Sequence, residues 1–139
     1  MILLDTNFVS EPLRPAPAAR VIDWIDAQPL ESLYLSAITV AELRAGIALL
    51  PAGKRRDTLS ESLAKRILPR FAGRVLPFDL TCTQAYADIL ARTRATGHAI
   101  AMADACIAAI AASHHLAVAT RDTAPFTAAG LVVIDPWVA

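Results

Sequence analysis

The chain has 139 residues, 55% of them hydrophobic, and its 13 basic and 13 acidic side chains give a formal net charge of zero. This length suits one domain with one core and leaves little room for a second, and the neutral balance says nothing for or against a nucleic-acid partner. Cys82 and Cys106 stand in apolar helical patterns, which favours buried thiols in a reduced, cytoplasmic protein over a disulfide framework.

Short apolar runs alternate with longer helical stretches, a pattern typical of βα units around a parallel sheet. The predicted strands are residues 2–4, 33–36, 74–78, 116–119 and 131–134. The predicted helices include residues 18–27, 39–50, 82–93 and 101–113. The fold class predicted from this alternation is α/β.

Residues 97–120 are apolar enough to resemble a membrane span. They contain Asp104 and the pair His114 and His115, so we expect a buried helix followed by a strand, and no membrane association. No cleavable signal is expected either, because Asp5 interrupts the apolar start of the chain.

Four acidic residues stand where a parallel sheet gathers its ligands. Asp5 directly follows the first predicted strand and Asp122 closely follows the fourth, and the carboxyl ends of parallel strands share one edge. Glu42 lies about one helical turn beyond the second strand, and Asp104 opens the apolar helix. Each acid alone has a plainer interpretation: an N-cap for Asp5, a capping box with Thr39 for Glu42, a helix-dipole charge for Asp104 and a turn for Asp122.

Considered together, the four acids favour a functional interpretation. Several carboxylates in a small apolar setting repel one another, and a divalent cation with oxygen ligands is the usual resolution. Mg²⁺ or Mn²⁺ suits an all-carboxylate site and leaves room for substrate phosphate oxygens. The set therefore predicts a hard-metal site and metal-assisted hydrolysis of phosphodiesters.

The chain resembles the PIN-domain ribonucleases, among them the toxin halves of VapBC-type toxin–antitoxin pairs. The resemblance rests on "LLDTN", "AITVAELRAGI", "MADACIAAIAASHHLAVATRD" and "GLVVIDPW", which occur in this order along the whole chain. It implies one PIN domain over residues 1–139. The implied fold is a three-layer α/β/α sandwich around a central, mostly parallel sheet of about five strands.

The resemblance also implies an activity and partners. Such proteins are Mg²⁺- or Mn²⁺-dependent endoribonucleases, usually homodimeric, and inhibited by a small VapB-type antitoxin. The family's metal-binding and catalytic acids map onto Asp5, Glu42, Asp104 and Asp122. Its polar helper position before the last acid maps onto Thr120.

Further residues are expected to support the acids or to bind RNA. Asn7 fits the family's polar position after the first acid. Arg121 and Arg44 stand next to predicted acids and suit the scissile phosphate, although either can equally pair with a carboxylate. Residues 54–74 hold seven of the thirteen basic residues, so this segment, beginning with Lys54, Arg55 and Arg56, is either a phosphate-binding face or a solvated surface helix.

Two other functions fit part of the sequence. A phosphatase or phosphotransferase would use Asp5 as a nucleophile, but the haloacid-dehalogenase pattern has a second aspartate two residues later, where this chain has Asn7. A non-catalytic nucleic-acid- or protein-binding module of the same fold is the alternative from a different class. Dinucleotide binding is disfavoured because the sequence has no G-x-G-x-x-G motif.

Overall fold

The computed structural model describes residues 1–138, in which five strands form one parallel sheet. The strands are β1 (Ile2–Leu4), β2 (Leu33–Ser36), β3 (Val75–Leu76), β4 (Ala117–Ala119) and β5 (Val133–Ile134), in the spatial order β3-β2-β1-β4-β5. All four neighbouring pairs are parallel. The predicted α/β class and mostly parallel five-stranded sheet are confirmed, with β1 at the centre.

The edge strands are shorter than predicted. Val75 and Leu76 pair with β2, and the strand ends at Pro77, which has no N–H to continue the ladder. At the other edge, only Val133 and Ile134 of the predicted strand at 131–134 pair with β4.

Helices lie between the strands in the described part of the chain. They are α1 (Thr6–Ser10), α2 (Ala19–Ala27), α3 (Ala37–Ala48), α4 (Lys54–Ser62), α5 (Leu80–Ala95), α6 (Met102–Ser113) and α7 (Thr123–Ala128). A π-helical turn at Leu63–Ile67 extends α4, and short 3₁₀ turns occupy Glu11–Leu13, Leu30–Ser32 and Leu68–Phe71.

Helix α3 begins two residues before its predicted start. The Ser36 hydroxyl accepts the N–H of Thr39 at 2.9 Å, so Ser36 is the N-cap and Thr39 lies inside the first turn. A capping box would need the glutamate at the third helical position, whereas Glu42 lies three residues beyond it. The capping-box interpretation of Glu42 is therefore wrong.

Apolar side chains cover both faces of the sheet. Leu3 and Val118 pack with residues of α5, α6 and α7, whereas Leu4 and Ala119 pack with residues of α1, α2 and α3. Successive strand residues point to opposite faces, so a strand buried on both sides reads as a continuous apolar run. The predicted three-layer α/β/α arrangement is confirmed.

Helix α6 is the central helix that its composition predicts. Ala105 and all residues from 107 to 111 are buried. Between residues 1 and 138, no helix has the length and hydropathy needed to cross a membrane. The expectation of two buried thiols holds only for Cys82, because Cys106 is partly exposed; both are free.

Candidate active site

Asp5 joins the end of β1 to the start of α1. Its backbone N–H donates to Ala119 O at 3.0 Å, and its carboxylate is the N-cap of α1, accepting the N–H of Thr6 at 2.8 Å. The other carboxylate oxygen accepts the Thr120 hydroxyl at 2.8 Å, and the residue is only 4% exposed. The N-cap interpretation of Asp5 is therefore correct. The same carboxylate is also held rigidly at the carboxyl ends of the strands.

The buried Thr120 hydroxyl organises the loop after β4. It accepts the backbone N–H of Asp122 at 3.1 Å and the side-chain amide of Asn7 at 3.3 Å. A hydroxyl has two acceptor positions and one proton, so its proton is left for Asp5. Asn7 completes the link by accepting the N–H of Arg121 at 3.2 Å. The two predicted supporting residues thus fasten this loop to α1.

Glu42 reaches the same place from α3. Its carboxylate is exposed and accepts the Thr6 hydroxyl at 2.6 Å. The same hydroxyl lies 3.2 Å from that of the buried Thr39. Glu42 is therefore connected through one residue to Asp5.

Asp104 and Asp122 complete the acidic set. Asp104 is partly buried in the first turn of α6, and Asp122 is exposed at the start of α7 with no capping bond from its side chain. Burial, followed by the negative charges of Asp5, Asp122 and Glu42, raises the pKa of Asp104 to about 6. The structure thus brings together all four predicted acids, and each contributes to one negative field.

The pKa of Asp5 moves in the same direction for a different balance of reasons. Burial raises it most, the hydrogen bonds from Thr120 and Thr6 lower it, and the charges of Glu42 and Asp122 raise it again. Hydrogen bonds donated to a carboxylate favour its ionised form. Asp5 is therefore kept closer to ionisation than its burial alone would allow.

The donor chemistry of this acidic set fits a hard divalent cation. Carboxylate oxygens are the ligands that Mg²⁺ and Mn²⁺ prefer, and no hydrogen bond within residues 1–138 occupies the Asp104 carboxylate. Over the same residues, no three acidic, histidine or cysteine side chains are close enough to hold one ion as they stand. Because Asp5 is fixed, holding one ion would require the exposed side chains of Glu42 and Asp122 to move towards Asp5.

The four predicted RNA-binding residues lie in three different places. Arg55 lines a groove of about 230 Å³ that also includes Glu42. Arg44 and Arg56 line a different groove, of about 420 Å³, between α3 and α4. Lys54 is exposed at the start of α4. Only Arg55 of these four shares a groove with a predicted acid.

Arg121 is held by an aromatic ring. Its guanidinium carbon lies 5.8 Å from the centroid of Trp137, within the range of a cation–π contact. In the described chain neither Arg121 nor Arg44 forms an ion pair with a carboxylate, so the ion-pair alternative for these arginines is not realised.

The sequence interpretation missed an ion pair between a buried glutamate and an exposed arginine. Glu11 is 3% exposed and accepts the N–H of Ala18 at 2.8 Å, while Arg14 lies 3.2 Å from its other oxygen. The Ala18 N–H and the Arg14 guanidinium hold the pKa of Glu11 below its usual range. The three-residue spacing of Glu11 and Arg14 was the available signal.

Comparison with known proteins gives consistent results. A family model described as PIN domain matches residues 2–130. The chain is 67% identical over 137 residues to plasmid stability protein StbB of Pseudomonas syringae pv. tomato, covering 99% of both chains. It is 56% identical to VapC ribonuclease Y4jK of Sinorhizobium fredii, covering 99% of this chain and 98% of that one. It is also 56% identical to Toxin FitB of Neisseria gonorrhoeae, covering 99% of each.

Comparison with solved structures agrees with the sequence comparison. The crystal structure of FitAcB from Neisseria gonorrhoeae superposes on this chain with a TM-score of 0.96 at 55% identity, and each chain is covered completely.

Replacing Thr120 by valine keeps its shape and removes its hydroxyl. We expect the free energy of unfolding to fall by about 1–3 kcal/mol, because the buried Asp5 oxygen loses its donor and two N–H groups lose their acceptor. Denaturant unfolding measures this change. Thr120→Ser should retain most of the stability, and Thr83→Val, which removes a hydroxyl from an exposed position on α5, is the control. Equal midpoints for Thr120→Val and wild type would contradict this role.

Asp104 should make the metal-free protein sensitive to pH. Its folded pKa of about 6 lies above its ordinary value of 3.8, so between these values the folded chain keeps a proton that the unfolded chain has released. Stability from this group is therefore present at low pH and is lost as the pH rises from about 4 to about 6.

In chelator at neutral pH, Asp104→Asn should consequently melt above wild type, and the difference should shrink as the pH falls towards 4. Asp26→Asn, at an exposed site on α2, controls for the loss of one charge. A constant difference between Asp104→Asn and wild type across this range would show that burial and the neighbouring acids do not raise the pKa of Asp104.

Proposed function

This chain belongs to the PIN-domain family, and we propose that it is a Mg²⁺- or Mn²⁺-dependent endoribonuclease and the toxin of a toxin–antitoxin pair. The observation that carries this proposal is the link from Asp5 to Glu42 through Thr6 and to the backbone of Asp122 through Thr120, with Asp104 close enough for their charges to raise its pKa. Relatives named VapC ribonuclease and Toxin FitB support the reaction and the biological role. We further propose that residues 1–139 form one PIN domain that acts in the cytoplasm.

The four acids divide the work of holding the ion. When bound, the divalent cation would supply an activated water and offset the negative charge that develops on the phosphate. Asp5 provides a carboxylate whose direction is set by Thr120 and Thr6. Glu42 and Asp122 supply adaptable carboxylates from the solvent side. Asp104 must release its proton before it can act as a ligand, so metal binding is favoured as the pH rises above about 6.

The proposed RNA contacts lie beside the acids. A negatively charged site repels a polyanion, so cations around the site are needed to attract the phosphate backbone. Arg55 is a proposed phosphate ligand because it shares a groove with Glu42. Arg44, Lys54 and Arg56 are proposed to extend this attraction along α3 and α4.

The antitoxin is proposed to bind an apolar cleft lined by residues of α1, α2 and α4. This cleft has a volume of about 410 Å³, and its lining includes Phe8, Ile25, Leu30 and Phe71. An amphipathic helix buries its apolar face in a groove of this kind. The homodimer stays a prediction.

Nuclease activity is the central test. Wild-type protein should cleave single-stranded RNA with Mg²⁺ or Mn²⁺ and stop in chelator, and Asp104→Asn should lose cleavage while staying folded. Free metal at a hundredfold excess over its dissociation constant should stabilise wild type by about 2.7 kcal/mol, and Asp104→Asn should gain less. RNA gels and paired melting curves provide the measurements. Cleavage by rigorously purified Asp104→Asn would refute the assignment, whereas RNA binding without cleavage by wild type would favour a non-catalytic module.

The cleft can be tested apart from catalysis. Leu30 lines the cleft and is 43% exposed, so Leu30→Glu should fold and still cleave RNA. It should lose co-purification with the antitoxin because it places a charge against the apolar face of the bound helix. Leu80→Glu, at a leucine 86% exposed on α5, is the matched control. Equal recovery of the antitoxin with both variants would show that the cleft does not hold it.

A further inference from the structure

We propose that the groove between α1, α3 and α4 binds the RNA strand next to the scissile phosphate, with Arg14 as a phosphate ligand that buried Glu11 holds in place. The groove is lined by Ser10, Arg14, Glu42, Gly46, Arg55 and Leu59, among others. This proposal rests on the proposed ribonuclease function and adds a substrate path that leads away from the metal-binding acids.

The position of the groove connects it to the chemistry. Glu42 belongs both to the groove and to the acidic set, since its carboxylate accepts the Thr6 hydroxyl beside Asp5. A strand whose scissile phosphate lies at the acids has its neighbouring nucleotides within this groove if it runs along α3. The volume of about 230 Å³ is enough for part of a nucleotide but small for a folded element.

Glu11 orients the Arg14 guanidinium but leaves some of its N–H donors free. One guanidinium nitrogen lies 3.2 Å from Glu11, and the side chain is 58% exposed, whereas that of Glu11 is 5% exposed. Within residues 1–138 the remaining donors of Arg14 have no protein partner. A guanidinium has five N–H donors in a planar fork that matches a phosphate. Glu11 thus fixes one side of the fork and leaves the rest facing solvent.

Gly46 keeps the wall of the groove open. It lies in the interior of α3, where glycine costs about 1 kcal/mol relative to alanine. A Cβ built on Gly46 meets nothing within 4 Å, so packing does not require the glycine. A side chain at position 46 would stabilise the helix, yet the chain has glycine there. This points to a ligand that needs the space beside Gly46.

Charge selects the occupant of the groove. Arg14 and Arg55 both line it, and they stand beside a set of acids that would repel a phosphate backbone unless cations flanked it. Two arginines beside a metal-binding site suit successive phosphates of one strand. An RNA strand, rather than a protein segment, is therefore the proposed occupant.

The first experiment measures binding of a labelled, mixed-sequence single-stranded RNA in chelator, where no cleavage occurs. Arg14→Gln should weaken binding roughly tenfold, as expected for loss of one charged hydrogen-bond donor, and should flatten the salt dependence by about 0.7 in the log–log slope. Arg94→Gln, which removes an exposed cation of α5 outside the groove, should change the affinity much less. An unchanged slope in Arg14→Gln would overturn the phosphate contact.

The second experiment separates positioning from folding. In Mg²⁺, Arg14→Gln should raise KM more than it lowers kcat. Glu11→Gln should weaken RNA binding in the wild-type background but add nothing to Arg14→Gln, because its effect passes through Arg14. An equal loss in both backgrounds would make Glu11 a purely structural residue and refute the positioning role.

The third experiment sets stability against function. Gly46→Ala and Gly46→Met should melt above wild type, since both residues favour a helix. Gly46→Met should nevertheless bind the RNA probe more weakly, because its side chain fills the groove. Stabilised variants with undiminished RNA affinity would overturn the proposed path.

If wild type fails to cleave in Mg²⁺, the proposed function fails, whereas the chelator assay still decides whether the groove binds RNA.

Discussion

The hydrogen bond from the Thr120 hydroxyl to the Asp5 carboxylate is the interaction on which the rest of the site depends. It joins the ends of two neighbouring strands across 115 positions of sequence, in a place closed to solvent. The same hydroxyl accepts N–H groups from Asn7 and Asp122, so its proton and both of its acceptor positions are used. A buried polar network is stabilising only when it is satisfied in this way.

That rigid corner supports a cluster which by itself costs stability. Asp104 faces three other carboxylates and is partly removed from water, and both effects disfavour its ionised form. The two apolar layers on either side of the sheet offset this cost. The fixed carboxylate of Asp5, directly after β1, and the exposed carboxylates of Glu42 on α3 and Asp122 before α7 would suit the proposed metal ion, because only the exposed side chains would need to move.

Much of this arrangement could be predicted from local patterns. Apolar runs located the strands, and the positions of Asp5 and Asp122 after two of them placed both acids at one edge. The errors arose where local patterns are ambiguous. Ser36 and Thr39 are both acceptable N-caps, and the choice between them depends on where β2 ends. Glu11 and Arg14 were missed because nothing local shows that the glutamate is buried.

By itself, the sequence determined which residues can carry charge, which faces are apolar and which acids follow strands, since these properties depend on neighbours a few positions away. Only the tertiary structure decided that Thr120 donates to Asp5, that Arg55 and Arg14 share a groove with Glu42, and that Arg121 lies over Trp137. Such contacts depend on the strand order β3-β2-β1-β4-β5 and on how the helices pack against it. Residues far apart in the chain come into contact only through this strand order and helix packing, so no local sequence pattern can predict their contacts.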